Sequence, residues 1–138
     1  MTIVHKKKST VIKSIQTEKL LTETELELMN ILWKLGEGSV SDVQQELALQ
    51  RDLAYTSIST ILRILEQKGV VKTRKEGRGH VYIPAIKKQD YESKTVKHMV
   101  EKVFSGAPTA LVRQLLDSVS QKELDEIKAM IKEKSGVS

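Results

Sequence analysis

Four polar side chains at helical spacing, Thr56, Ser59, Thr60 and Arg63, are the best placed in this 138-residue chain to act on another molecule. They share a helix expected from about Ala54 to Lys68 with the apolar set Ile58, Ile61, Leu62 and Leu65. The two sets are offset by two positions, about 200° around the axis, so one face is core and the other is hydroxyls plus a guanidinium. No carboxylate interrupts the polar face before Glu66, whereas a generic solvated face usually mixes Glu and Lys. Such a face suits a DNA major groove, where Arg grips guanine O6 and N7 and Ser or Thr bonds base edges or phosphate. Tyr55 and Ser57 flank the row and belong to the same candidate surface. The alternative reading is a Ser/Thr-rich solvated helix.

The next residues add cations. Val70-Val71-Lys72-Thr73-Arg74-Lys75 reads as a strand, Glu76-Gly77-Arg78-Gly79 as a turn, and His80-Val81-Tyr82-Ile83 as a second strand ended by Pro84. The hairpin carries Lys72, Arg74, Lys75, Arg78 and His80 as candidate phosphate contacts. Gly77 and Gly79 can also be read simply as suppliers of positive φ for the turn.

Other chemistries find little support. There is no cysteine, hence no disulfide, thiolate metal site or cysteine nucleophile, which fits a reducing cytoplasm, the expected location. His5, His80 and His98 fall in separate segments with no nucleophile or carboxylate pair around them, and no glycine-rich phosphate loop occurs. The chain therefore reads as a non-enzyme with no cofactor and no metal. No apolar run approaches the ~20 residues of a membrane span, and no continuous apolar stretch follows the N-terminal lysines as a signal peptide requires.

Two helices must precede the polar one to hold it. Thr22 with Glu25 is a capping box opening a helix with Leu28, Leu32 and Leu35 on its core face, widened by Met29 and Trp33 and stopped by Gly36. Ser39 with Asp42 opens a short second helix whose stripe is Val40, Val43 and Leu47, ending near Leu49. Three helices and a hairpin over residues 22–88 make a winged helix-turn-helix layout, in which the third helix reads bases and the hairpin rides on the backbone.

Residues 89–138 change character. Asp90 can cap a helix with Val96, Met99, Val100, Val103 and Phe104, broken at Gly106-Ala107-Pro108. Thr109 can cap a second, with Leu111, Val112, Leu115, Leu116 and Val119, and Ser120 with Glu123 opens a third, with Leu124, Ile127, Met130 and Ile131. Such short amphipathic helices cannot easily bury their apolar faces alone, so a second copy of the chain is the expected partner. Packing back on the first domain as a monomer is the alternative.

Aromatics are only 4%, so aliphatic residues must make the core. The net charge of +5 is unevenly placed. Residues 63–88 carry eight basic and two acidic side chains, residues 22–62 two basic and seven acidic, and residues 89–138 eight of each. Residues 1–21, with five basic and one acidic side chain, read as a mobile arm, either an added phosphate contact or an unimportant tail.

The sequence resembles the BlaI/MecI/CopY family of bacterial repressors, which includes the penicillinase repressors, from about Thr22 to Lys134. The matching features are Glu25-Leu26-Glu27-Leu28-Met29 with Leu32-Trp33, Ser39-Val40-Ser41-Asp42-Val43, Thr56-Ser57-Ile58-Ser59-Thr60-Ile61-Leu62 through Lys68-Gly69, then Gly77-Arg78 and Tyr82-Ile83-Pro84. The resemblance implies a homodimeric winged-helix repressor that binds a dyad operator in double-stranded DNA through the third helix and wing, with the C-terminal helices joining the subunits. It brings in a membrane sensor protease as a further partner. Two departures matter. The copper-responsive branch carries a C-terminal cysteine cluster that this chain lacks, and Gln114-Leu115 stands where the penicillinase branch is cleaved at Asn-Phe, so β-lactam sensing is not carried over. A winged-helix module that binds protein or RNA without reading an operator is the alternative function. The hydroxyl-and-Arg face argues against it, because protein interfaces expect aromatic or aliphatic anchors.

Overall fold

The computed structural model describes residues 20–136, so the basic arm lies outside the described residues except for Leu20 and Leu21. The elements in chain order are α1 (Glu23–Leu35), α2 (Val40–Leu47), α3 (Tyr55–Gln67), β1 (Val71–Glu76), β2 (Gly79–Pro84), α4 (Lys88–Lys102), α5 (Pro108–Ser118) and α6 (Gln121–Ser135). The fold is mainly α with one small β-hairpin, and the first three helices with the hairpin form a winged helix-turn-helix. Two compact units divide between Thr95 and Val96, inside α4, whereas the sequence pattern suggests a boundary at 88/89. The first turns of α4 stay with the first unit because Tyr91 is buried there: its hydroxyl accepts from Leu21 N at 3.0 Å, and its ring lies 5.9 Å from that of Trp33.

The caps at Thr22, Ser39 and Ser120 form as complete capping boxes with Glu25, Asp42 and Glu123. Thr109 does not cap α5. The cap position is Ala107, two residues earlier, and the helix starts at Pro108, whose fixed φ and missing N–H suit a first helical position. Val103 and Phe104 lie past the end of α4 rather than on it, in a turn where Ser105 takes φ 51°.

The core of the first unit joins Leu28, Met29 and Leu32 of α1, Val40, Val43 and Leu47 of α2, Ile58, Leu62 and Leu65 of α3, and Val70, Val71 and Tyr82. The stripe of α1 is narrower than the sequence suggests. Leu35 is 40% exposed, because Gly36 turns the chain away at φ 88°, and Trp33 is half-buried, its indole N–H donating to Ile86 O at 2.9 Å. Helix α2 stops at Leu47 and leaves Leu49 77% exposed.

The hairpin is antiparallel, in register from Val71↔Pro84 to Glu76↔Gly79. Gly77 makes the turn at φ 61°, whereas Gly79 is the first residue of β2 and has no positive φ. Gly38, between α1 and α2, pairs with Tyr82 through two backbone hydrogen bonds, Gly38 N to Tyr82 O at 3.0 Å and Tyr82 N to Gly38 O at 2.8 Å. This one-residue third strand seats the base of the hairpin against the helices.

In the second unit none of the described residues is buried. Val96, Val103, Val112, Leu115, Leu116, Met130 and Ile131 are exposed, and Met99, Val100, Phe104, Leu111, Leu124 and Ile127 are half-buried.

Candidate nucleic-acid interface

Helix α3 presents the polar row as its periodicity requires. Ile58, Leu62 and Leu65 are fully buried, and Thr56, Thr60 and Arg63 are exposed on the other side. Ser57 and Ser59 are half-buried at the margin, with Ile61 packed at the edge of the core. Tyr55 begins the helix and is half exposed. The Thr60 hydroxyl donates to Thr56 O at 2.9 Å, so its hydrogen is committed and it offers an incoming group its acceptor lone pairs. The N-terminus of α3 has no side-chain cap and no acidic residue in its first turn, unlike α1 and α2.

The hairpin stands beside this face. Thr73 Oγ1 donates to Glu66 Oε2 of α3 at 2.8 Å, and the phenol of Tyr82 lies in the field of Glu66 and Arg63. Burial pushes that phenol above its ordinary pKa, Glu66 adds to the shift and Arg63 opposes it. Lys72, Lys75, Arg78 and His80 are exposed and make no ion pair or side-chain hydrogen bond among the described residues, and neither does Arg63.

Two cations counted in the basic patch are already engaged. Lys68 Nζ donates to Glu25 Oε1 at 2.6 Å, tying the end of α3 to the start of α1. Burial pushes the Glu25 carboxyl up, but the hydrogen bonds from Lys68 and from Thr22 N, with the attraction of Lys68, hold it below its ordinary 4.5. Arg74, expected at phosphate, pairs with Glu37 and Glu76 in the free protein. Its Nη2 donates to Glu37 Oε2 at 2.7 Å and to Glu76 Oε2 at 3.0 Å, and its Nη1 to Glu37 Oε1 at 3.2 Å. Arg74 and Lys68 are thereby ion-paired in the free protein. The sequence pattern marks neither the Lys68–Glu25 nor the Arg74–Glu37 pairing. Glu25 was visible only as a capping residue, and nothing local marks Glu37, since its partner lies 37 residues away.

Gln114 and Leu115 both lie inside α5 with exposed side chains. Proteolysis concentrates in exposed loops, so cleavage at this bond requires α5 to open first. Among the described residues no helix is long and apolar enough to cross a membrane.

A three-helix unit whose third helix bears an exposed hydroxyl-and-Arg row beside a cationic hairpin defines a winged helix-turn-helix protein of the DNA-binding class. The chain belongs to the penicillinase repressor family, whose model matches residues 21–133, and so to a family of transcriptional repressors rather than enzymes. It is 28% identical to the methicillin resistance regulatory protein MecI of Mammaliicoccus sciuri over 83% of this chain and 94% of that protein. It is 29% identical to the penicillinase repressor of Bacillus licheniformis over 82% of this chain and 90% of that one. Among solved structures it is similar to the monomeric form of Bacillus licheniformis BlaI in complex with the blaP half-operator, at 35% identity and TM-score 0.45, covering 52% of this chain and 88% of that one.

Proposed function

We propose that the chain represses transcription as a homodimer on a dyad operator, each copy placing α3 in the major groove and its wing on the flanking backbone. The observation that carries this reading is the exposed row Thr56, Thr60 and Arg63 on the face opposite buried Ile58, Leu62 and Leu65, flanked by Lys72, Lys75 and Arg78, which are unpaired among the described residues, and by exposed His80. Arg63 supplies the bidentate base contact, the hydroxyls accept or donate at base edges, and the wing cations neutralise phosphate. Family membership supports repression as the outcome, since an occupied operator blocks polymerase.

Dimerisation rests on the second unit. Among the described residues none of its apolar side chains, Val96, Met99, Val100, Val103, Phe104, Leu111, Leu115, Leu116, Leu124, Ile127 and Ile131, is buried, and a symmetric second copy supplies a buried environment. Two tethered half-site contacts also bind far more tightly than two independent ones.

The test is selection of duplexes from a random-sequence pool by the purified chain, followed by sedimentation of the complex. An enriched inverted repeat bound by two chains is expected. Recovery of no sequence, or of a single half-site bound by one chain, would overturn the reading.

A further inference from the structure

We infer that Arg74 is a wing-positioning residue rather than a phosphate contact, and that Glu37 is its functional partner in DNA binding. The inference rests on the operator-binding reading above and deepens it.

A two-stranded hairpin is marginal on its own, so its direction depends on what grips it. At its base Val71 and Tyr82 enter the core, and Gly38 pairs with Tyr82. From the Thr73↔Tyr82 pair onward, neighbouring residues of β1 hold opposite faces. Thr73 reaches Glu66 of α3 on one side, and Arg74 reaches Glu37 of the α1–α2 turn on the other. Arg74 faces Val81 across the ladder, and beyond that pair come only Lys75↔His80 and Glu76↔Gly79, all exposed. Among the described residues, the Arg74–Glu37 fork is therefore the last side-chain hydrogen bond from the wing to the rest of the unit before the tip. The tip carries Lys75 and Arg78 beside His80, so a small rotation at the fork lengthens their phosphate contacts without removing a charge.

The local charge also argues against phosphate. One guanidinium sits between two carboxylates, Glu37 and Glu76, so the cluster is net negative and repels an approaching anion. The fork uses both Arg74 Nη atoms on Glu37, a bidentate geometry that a lysine cannot reproduce. Hydrogen bonding to Arg74 holds the Glu37 carboxyl below its ordinary pKa, so the fork stays charged at neutral pH.

The two roles predict opposite signs for one substitution. If Arg74 contacts phosphate, Glu37→Gln removes a competing anion and tightens binding. If Arg74 positions the wing, Glu37→Gln loosens the fork and weakens binding. The full-length chain and its variants would be titrated, across a salt series, on the duplex that the wild-type chain enriches from a random pool. Glu37→Gln and Arg74→Gln are each expected to weaken binding about threefold, in line with an exposed bidentate pair. The double variant should weaken it no further, and the salt slope should stay at the wild-type value. Melting temperatures of the variants near that of wild type separate positioning from general loss of fold. The charge swap Glu37→Arg with Arg74→Glu should recover part of the affinity. Tighter or unchanged binding by Glu37→Gln, or a salt slope lowered by about one for Arg74→Gln, overturns the inference. A wild-type chain that enriches no duplex sinks the operator-binding reading itself, which separates the two failures.

Discussion

Replacing Glu25 by Ala should destabilise the winged unit by about 2–3 kcal/mol at neutral pH. Glu25 is 6% exposed, and its Oε1 accepts two hydrogen bonds, from Thr22 N at 2.9 Å and from Lys68 Nζ at 2.6 Å. Losing the reciprocal half of the capping box costs about 1 kcal/mol. Removing one partner of a fully buried pair costs about 3–5 kcal/mol, but the Lys68 side chain is 22% exposed and can recover part of its hydration, so about 1–2 kcal/mol remains. Glu25→Gln keeps an acceptor for Thr22 N and should lose about half as much. The pH dependence has a definite sign. The folded carboxyl sits below its ordinary 4.5, so its contribution is complete above the unfolded value and disappears as pH falls through the folded one. The gap between wild type and Glu25→Ala should therefore narrow steadily below about pH 4. Urea unfolding followed by Trp33 fluorescence reads this directly, because the chain has one tryptophan and it packs in the winged unit. Taking the difference between the two proteins cancels the other carboxylates, such as Glu27, which Arg51 also holds below its ordinary value. A loss under about 0.5 kcal/mol, or a gap constant from about pH 7 to about pH 3, would refute the coupling of α1 to α3 through this pair.

Arg63→Ala should weaken binding to the selected operator at least tenfold and to a scrambled duplex much less, the cost of a bidentate base contact being about 1–3 kcal/mol; equal losses on both duplexes in parallel titrations would remove Arg63 from base reading. Arg78→Ala should weaken both duplexes alike and lower the salt slope by about 0.9, and an unaltered slope would take Arg78 off the phosphates. Leu62→Ala, at a fully buried position of α3, should cost about 3 kcal/mol in the same urea assay, with a loss under about 1 kcal/mol contradicting its place in the core. Leu116→Asp, on the half-exposed apolar surface of α5, should shift sedimentation to the monomer and weaken a dyad site while sparing a half-site; an intact dimer would exclude this surface from the interface.

Local signals in the chain mark most of the winged unit. Capping boxes at Thr22, Ser39 and Ser120 depend on residues three positions apart, so they are written in consecutive letters. The 3.6 period of Ile58, Leu62 and Leu65 fixes which way Thr56, Thr60 and Arg63 point once that stripe is buried. The hairpin follows from β-branched runs around a Gly-containing turn, and its register falls within one residue of the strand limits read from the pattern. Where the pattern misleads, a neighbour or the backbone decides. Leu35 keeps helical spacing but is 40% exposed because the chain turns away at Gly36, and Thr109 yields its capping role to a helix that begins at Pro108.

Composition and periodicity by themselves determined the helix order, the wing, the hydroxyl-and-Arg row and the absence of cysteine chemistry, because each is a property of neighbouring residues. Only the tertiary structure decided which cations are paired with carboxylates. Lys68 and Arg74 count toward the basic patch in the sequence, yet the fold pairs them with Glu25 and Glu37, 43 and 37 residues away. A charge is local to its residue, but whether it is free to meet a phosphate depends on which carboxylate the fold brings within hydrogen-bonding distance, and pairings at that separation leave no trace in spacing or composition.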